Sequence, residues 1–422
     1  MPNQTRVVIV GGGFAGMSTA HKLVQQRGIH VTLIDKNNYH QFTPLLYQVA
    51  TSAISIDNVA TTFRSYFEGK SNIDIKMAKV CSIDPKTLTV HTEEGESYQG
   101  DVLVLAAGSV VNFFDTTGAM ENSFPLYNLN DAERLRSRII LAFEEADRNP
   151  KLIDEGVLNF VVVGAGPTGT EIAGALADMI NISLPKEYAD LALTKAKIYL
   201  VDYSHAVLSA FSEESQKYAA ETLHKRGVQL RLGLLVRSVT DRYALLSSGE
   251  KIASKTIIWA GGLQAAQLAQ ECGLVQGHGG RIEVQPDLTI KGFPSIYALG
   301  DFANMPGRLP QLASVAQQSG YWTADNIIAT KKGKPRKAFQ YKDKGIMAMI
   351  GRNAAVVEVG KKRRELTGFF AFLTWLSVHS VLLSTLRQRI EALMQWSCGY
   401  FSKNNDFQTI DRIKDAHIIW KK

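Results

Sequence analysis

The 422-residue sequence predicts an α/β protein made of two copies of one strand–turn–helix–strand unit, followed by a C-terminal region of amphipathic helices. Three observations predict it. A β-branched run closes on a Gly-x-Gly-x-x-Gly turn at Gly11, Gly13 and Gly16. The same arrangement recurs at Gly164, Gly166 and Gly169. Beyond Glu365 the chain changes character and runs through 21 uncharged residues, Leu366 to Leu386, rich in aromatic and aliphatic side chains. With 45% hydrophobic and 21% charged residues, the chain is long enough to bury the cores of two or three domains.

Val7 to Val10 read as a buried strand. Gly11 permits the tight turn, Gly13 lets the backbone approach a pyrophosphate, and Gly16 lets the following helix sit close on the strand. The spacing predicts that helix over residues 17–30, with Leu23 and Val24 inward. Val31 to Ile34 form the next strand, closed by Asp35, nineteen residues past Gly16 and able to accept a hydrogen bond from a ribose hydroxyl. Strand, helix, second strand and terminal acid in this order make the glycine motif a specific sign of a Rossmann-type dinucleotide-binding fold. Residues 36–50 form a loop rich in aromatic and amide groups, with Pro44 blocking an early helix, near the strand ends where ligands bind in such sheets. Residues 73–80 and 86–92 alternate like short strands around an Asp84-Pro85 turn. The strand from Asp101 ends on Ala106, Ala107 and Gly108, small enough for a ligand to approach the backbone.

Residues 131–148 predict a charged helix. Phe160 to Val163 then repeat the opening strand, with a helix predicted from Thr170 and a strand from Lys197 to Val201 ending on Asp202. The stretch from Gly169 to Asp202 is longer than the usual spacing of about 20, so a loop is inserted around residues 183–192. Two such folds imply two dinucleotides. Residues 228–260 predict further strands, ending at Gly261 and Gly262. A last strand runs into Gly300 and Asp301, an acid placed to bond a ribityl or ribose hydroxyl. A helix over about 312–329 carries Ala313, Ala316, Gln317 and Gln318 near its start, aiming positive potential at a ligand.

The net charge of +7 points to an anionic partner: nucleic acid, membrane or cofactor. Cys81, Cys272 and Cys398 are far apart and form no Cys-x-x-Cys, so neither a zinc ribbon nor a dithiol relay is expected, no metal is expected, and the compartment reads as reducing. The start of the chain shows no signal-peptide pattern. In the tail, Lys361 to Arg364 form a basic collar before the uncharged run, and Arg387 to Tyr400 form a second, amphipathic stretch with Leu393, Met394 and Trp396. Length alone allows the first stretch to span a bilayer. Basic residues on both sides, many hydroxyls with His379, and a basic aromatic neighbour favour a helix lying in the membrane interface. A spanning helix and a buried core or dimer helix remain the alternatives.

This set of features resembles the type II NADH dehydrogenases, single-subunit NADH:quinone oxidoreductases that pump no protons, within the two-dinucleotide-binding flavoproteins. The resemblance covers nearly the whole chain. Its more specific marks are Phe42 to Ala50, Gly166 to Glu171, Met349 to Val356 and the aromatic tail. It implies an FAD-binding domain in residues 1–115 and 287–340, an NADH-binding domain in 116–286 and a membrane-anchoring region in 341–422, with both rings meeting between the domains. It implies that Gly11, Gly13, Phe14, Ala15, Gly16, Asp35 and Lys36 hold the adenosine and pyrophosphate end of FAD, and that Thr43, Val80, Ala107, Gly108, Gly300, Asp301 and Ala316 line the rest. Gly164, Gly166, Gly169, Asp202 and Gly262 would hold NADH, with the acid at Asp202 opposing a 2′-phosphate. Glu171 would place NADH and supply a proton to the quinone, with Gln317 and Gln318 beside the flavin. Ser314 stands where the family often has a glutamine, a departure that bears on quinone contacts.

The implied partners are a membrane quinone and the lipid surface at the cytoplasmic face, with no nucleic acid; a homodimer stays open. Three rivals are weighed against this: a soluble NAD(P)H-dependent reductase of a small electron carrier, a sulfide:quinone oxidoreductase, whose reactive cysteines find no match here, and a flavoprotein that binds nucleic acid.

Overall fold

Val7 to Val10 are almost wholly buried because they form an inner strand of a sheet, paired in parallel on both sides. The computed structural model describes residues 4–360, 363–402 and 408–412. Strand β1 (Thr5–Val10) leads through helix α1 (Phe14–Leu23) to β2 (Ile29–Asp35), and α2 (Leu46–Ala50), β3 (Ile73–Met77) and β4 (Val102–Leu105) follow. The plan then repeats through β5 (Phe124–Pro125), α3 (Leu129–Arg148), β6 (Asn159–Val163), α4 (Pro167–Asp178), β7 (Lys197–Asp202), β8 (Val228–Leu232) and β9 (Thr256–Trp259). The chain returns through β10 (Thr289–Ile290), β11 (Phe293–Ala298) and α5 (Ala313–Lys331). It ends in β12 (Ile346–Gly351), β13 (Ala354–Val359), β14 (Arg364–Thr367), α6 (Gly368–Leu382) and α7 (Leu386–Ser402).

Two units emerge. The first holds the described residues up to Gln41, with 60–110 and 263–342. Its six-stranded sheet has the order β10-β11-β4-β1-β2-β3, with Val7 paired in parallel to both Val31 and Val102. Helix α1 crosses α5 at Gly320, where a Cβ would lie 2.2 Å from the Ala15 carbonyl oxygen. The second unit holds 42–59, 111–262 and the described residues from Asp343 onward. Its parallel sheet has the order β5-β9-β6-β7-β8.

Several expected boundaries move. Residues 42–59, expected with the first domain, join the second unit because α2 packs on α3 and α4. Residues 263–286, expected in the nucleotide domain, join the first, where Leu268–Glu271 lies on strand Val80–Asp84. The tail packs within the second unit: β12 lies along α4, and α6 packs on β13. Helix α1 starts at Phe14 and has ended before the Gly28 turn (φ +72°). Helix α4 starts at Pro167, whose missing N–H costs nothing at the first helical position. The stretch expected as one strand over 73–80 is β3 plus the start of strand Val80–Asp84. The expected insertion at 183–192 begins earlier, as a π-turn over Met179–Ser183 continuing α4.

The 21-residue uncharged run does not make one helix. Its first residues finish β14, and Gly368, at φ +73°, turns the chain into α6. That helix has 15 residues, about 22 Å, against roughly 30 Å of bilayer hydrocarbon. Leu383 is extended, and Thr385 Oγ1 accepts a hydrogen bond from the Gln388 N–H at 3.2 Å, capping α7. Among the described residues no helix is long and apolar enough to cross a membrane. Lys361 and Lys362 of the basic collar lie outside the described residues.

Candidate active site: two nucleotide cradles and a buried glutamate

The first cradle forms where β1 meets α1. Gly11 sits at φ +101°, and a Cβ there would lie 2.2 Å from the Ala106 carbonyl oxygen. A Cβ on Gly16 would lie 1.8 Å from the Gly11 oxygen, so the helix sits directly on the turn. A Cβ on Gly13 would meet nothing within 4 Å. The start of α1, whose first N–H groups have no partner within the helix, is therefore open beside Gly13, which suits a pyrophosphate. At the end of β2, Asp35 Oδ2 accepts from the Gly12 N–H (2.6 Å) and Oδ1 from the Asn37 N–H (2.7 Å). Burial raises its pKa while those two N–H groups oppose the rise. His40 Nδ1–H donates to the Gly12 carbonyl at 2.9 Å and lies edge-on to Phe14. Lys36 is exposed beside Asp35, and Val80 is half-buried at the head of its strand.

The same unit brings a second set together. Ala107 and Gly108 follow β4, and the next residue, Ser109, donates its hydroxyl to Asp301 Oδ2 at 3.0 Å. Gly300 is at φ +60°, and a Cβ there would lie 3.1 Å from Ala15 Cβ and 3.3 Å from Ala316 Cβ. Three small residues thus meet where α1 and α5 approach. Burial raises the Asp301 pKa, offset by the Ser109 hydroxyl and the Arg281 charge.

The second unit repeats the first cradle nearly atom for atom. Gly164 is also at φ +101°, Gly166 also faces open space, and a Cβ on Gly169 would lie 1.7 Å from the Gly164 oxygen. Asp202 Oδ2 accepts from the Ala165 N–H (2.6 Å) and Oδ1 from the Ser204 N–H (2.6 Å). Gly262, at φ +99°, lies beyond the end of β9, beside the ring of Phe114. Thr43 belongs to this unit and not to the first.

Glu171 lies on the same helix as this cradle. It is 8% exposed, and its Oε1 accepts from the Met349 N–H at 3.2 Å. Burial pushes its pKa up to about 8, against the pull of Met349 N–H and the Trp375 indole N–H. That indole nitrogen is buried and makes no hydrogen bond of regular geometry. Gly174 lets α4 touch β12, since a Cβ there would lie 2.1 Å from the Ile350 oxygen. His379 stacks on Trp375 at 3.8 Å and donates Nδ1–H to the Trp375 carbonyl. Burial pulls the His379 pKa down to about 4 and drives that of Tyr47 well above its ordinary value, a rise the Glu171 charge increases. Gln48 donates to the Tyr47 hydroxyl (3.0 Å) and accepts from Trp396 Nε1–H (2.7 Å). Sequence reasoning singled out the stretches holding Tyr47, Gln48 and Met349 without giving them roles, and missed Trp375 beside Glu171, with His379 and Trp396 packed on Trp375. A small residue one turn after Glu171, Gly174, was the available signal of close packing there.

Gln317 and Gln318 differ from each other. Gln318 is engaged at both ends by the Lys342 backbone, donating to its carbonyl (3.0 Å) and accepting from its N–H (3.0 Å). Ser314, one turn earlier, bonds the Tyr341 hydroxyl at 3.0 Å. These two side chains fasten residues 341–342 to α5. Gln317 is half-buried, with no side-chain hydrogen bond among the described residues.

Residues 5–320 match the family model described as pyridine nucleotide-disulphide oxidoreductase. The chain is 35% identical over 425 residues to the type II NADH:quinone oxidoreductase Ndh of Mycobacterium tuberculosis, covering 97% of this chain and 91% of that protein. It is 30% identical over 367 residues to the type II NADH:quinone oxidoreductase of Staphylococcus aureus, covering 84% of this chain and 89% of that one. Among solved structures, NDH2 from Plasmodium falciparum in complex with NADH shares the fold at a TM-score of 0.86 and 20% identity, over 94% of this chain and 98% of that chain. The sulfide:quinone oxidoreductase of Aquifex aeolicus does so at 0.73 and 18%, over 94% and 96%. The paired cradles, the buried glutamate and this near full-length similarity place the chain in one group: it belongs to the type II NADH:quinone oxidoreductases of the pyridine nucleotide-disulphide oxidoreductase family.

Proposed function

We propose that the chain is an FAD-dependent enzyme that takes a hydride from NADH and delivers two electrons to a membrane quinone, without proton pumping. The observation that carries this reading is Glu171, a carboxyl group on the helix of the second cradle that burial keeps protonated at neutral pH. Quinone reduction consumes two protons, and a group with pKa near 8 is well matched to holding and releasing one at working pH. Bound FAD supplies the two-electron chemistry. The first cradle suits FAD because it adds Asp301, beside Ala107 and Gly108, to the pyrophosphate turn. The second suits NADH, with Asp202 accepting from a ribose hydroxyl and repelling a 2′-phosphate. Gln317, the fifth residue of α5, is assigned to the flavin side, while Gln318 fastens the Lys342 backbone.

The tail supports docking in the plane of the membrane. Phe369, Phe370, Leu373, Val381 and Leu382 are exposed on α6, and Leu386, Ile390, Leu393 and Met394 on α7. Such faces bury apolar area in the interface, and basic residues nearby attract anionic lipid. The cytoplasmic face of the membrane is the surface this reading assigns. Stopped-flow mixing tests the whole reading. The flavin colour should bleach with NADH and return with a ubiquinone or menaquinone analogue. A protein that stays colourless with excess FAD overturns it. One that bleaches but passes electrons only to a small carrier protein supports the soluble-reductase alternative.

A further inference from the structure

Helix α7 is amphipathic in an inverted sense. Its outer face is apolar and exposed, while its inner face is polar and tied to the segment around α2. Gln388 donates to the Asp57 carbonyl at 3.0 Å. Gln395 Oε1 accepts from the Ser55 N–H (3.0 Å) and from Asn58 Nδ2 (2.5 Å). Trp396 donates to Gln48, which in turn donates to Tyr47. These positions, with buried Ala392, fall on one helical face. From α6, Trp375 is fully buried, its ring 6.3 Å from that of Tyr47 and 6.2 Å from that of Trp396.

We propose that the tail helices are positioning elements for Glu171: Trp375 closes over its carboxyl group while Trp396, acting through Gln48, holds Tyr47 beside it, so that the packed tail completes the proton-donating site. This rests on the reading of Glu171 as a proton source for the quinone. The titratable groups on the elements packed there are Tyr47 from α2 and His379, stacked on Trp375 in α6, both neutral near pH 7. Asp178, two turns along α4, is paired with Arg226, and β12 contributes the Met349 backbone N–H. No charged side chain among the described residues bears on Glu171, so exclusion of water is what holds its proton, and loosening the wall releases it.

The test uses the full-length, FAD-loaded protein on anionic vesicles, with Trp396→Phe, which keeps the ring and loses the N–H donor, and Gln48→Met as an independent variant. Neither residue touches a cradle. Both should keep their FAD and their rate of bleaching by NADH. The alkaline limb of quinone-dependent reoxidation should move down by one pH unit or more, as water reaches Glu171. A limb left at the wild-type pH in a variant that retains FAD overturns the proposal, and if one variant fails to take up FAD the other decides. Wild-type protein with no quinone step at all would instead overturn the underlying reading. A merely structural role would lower the rate at every pH without moving the limb.

Discussion

Glu171 sets the behaviour expected at the scale of single residues. Its pKa is about 8 in the fold against an ordinary 4.5, because burial favours the neutral form. A raised carboxyl pKa means that its contribution to stability is complete below about pH 4.5 and is lost as pH rises toward 8. Glu171→Gln cannot titrate, so its apparent melting temperature should gain on wild type as pH rises from 5 to 8, as differential scanning fluorimetry across that range would show. The same variant should keep FAD and slow the quinone step by about 10²-fold, the usual worth of a placed proton donor. A variant that loses FAD would show that the residue is wrongly placed. Asp35 and Asp202 show how far one residue type at one spacing can be read. Each acid was visible as the end of a second strand. That both oxygens of each would be held by backbone N–H groups followed only from the folded loop.

Among the elements, α4 runs from the second cradle to Glu171, and Gly166, which caps its start, and Gly174, inside it, should respond differently to substitution. At Gly174 a Cβ would lie 2.1 Å from a backbone oxygen, so Gly174→Ala forces α4 off β12 and should cost about 1–3 kcal/mol, seen as a lower melting temperature. At Gly166 the backbone is extended, φ −69°, and a Cβ meets nothing, so Gly166→Ala should leave melting within about 0.5 kcal/mol of wild type. It would, however, intrude on the proposed pyrophosphate position, and steady-state kinetics should show a rise of tenfold or more in the KM for NADH with FAD content unchanged. The motif from Met349 to Val356 acquires its meaning at this scale. It is a hairpin strand whose N–H reaches Glu171 across 178 residues of chain. No local pattern encodes such a pairing.

Across the whole molecule, the tail presents an exposed apolar face and a buried face packed within the second unit. Removing it would also strip buried Trp375 and Ala371 from the second unit, so truncation confounds anchoring with folding. Replacing exposed residues is the cleaner test. Phe370→Ser with Leu386→Ser and Met394→Ser should leave the melting temperature unchanged and weaken flotation with anionic vesicles by at least tenfold, since each exposed side chain is worth about 1 kcal/mol or more when buried. The two cradles were legible in the sequence because each is a local device: a glycine turn, a helix start and an acid within about forty residues, dictated by sterics and hydrogen-bonding capacity. The apolar character of the tail was legible for the same reason. Its division into a strand end, a 15-residue helix and a capped second helix was not, because Gly368 and Thr385 act through backbone geometry that hydropathy does not register. The duplicated nucleotide-binding plan and the amphipathic end of the chain follow from local residue patterns alone. Which unit residues 42–59 and 263–286 join, and that Trp375 and Tyr47 come to Glu171, follow from long-range packing, because burial exists only once distant segments have met.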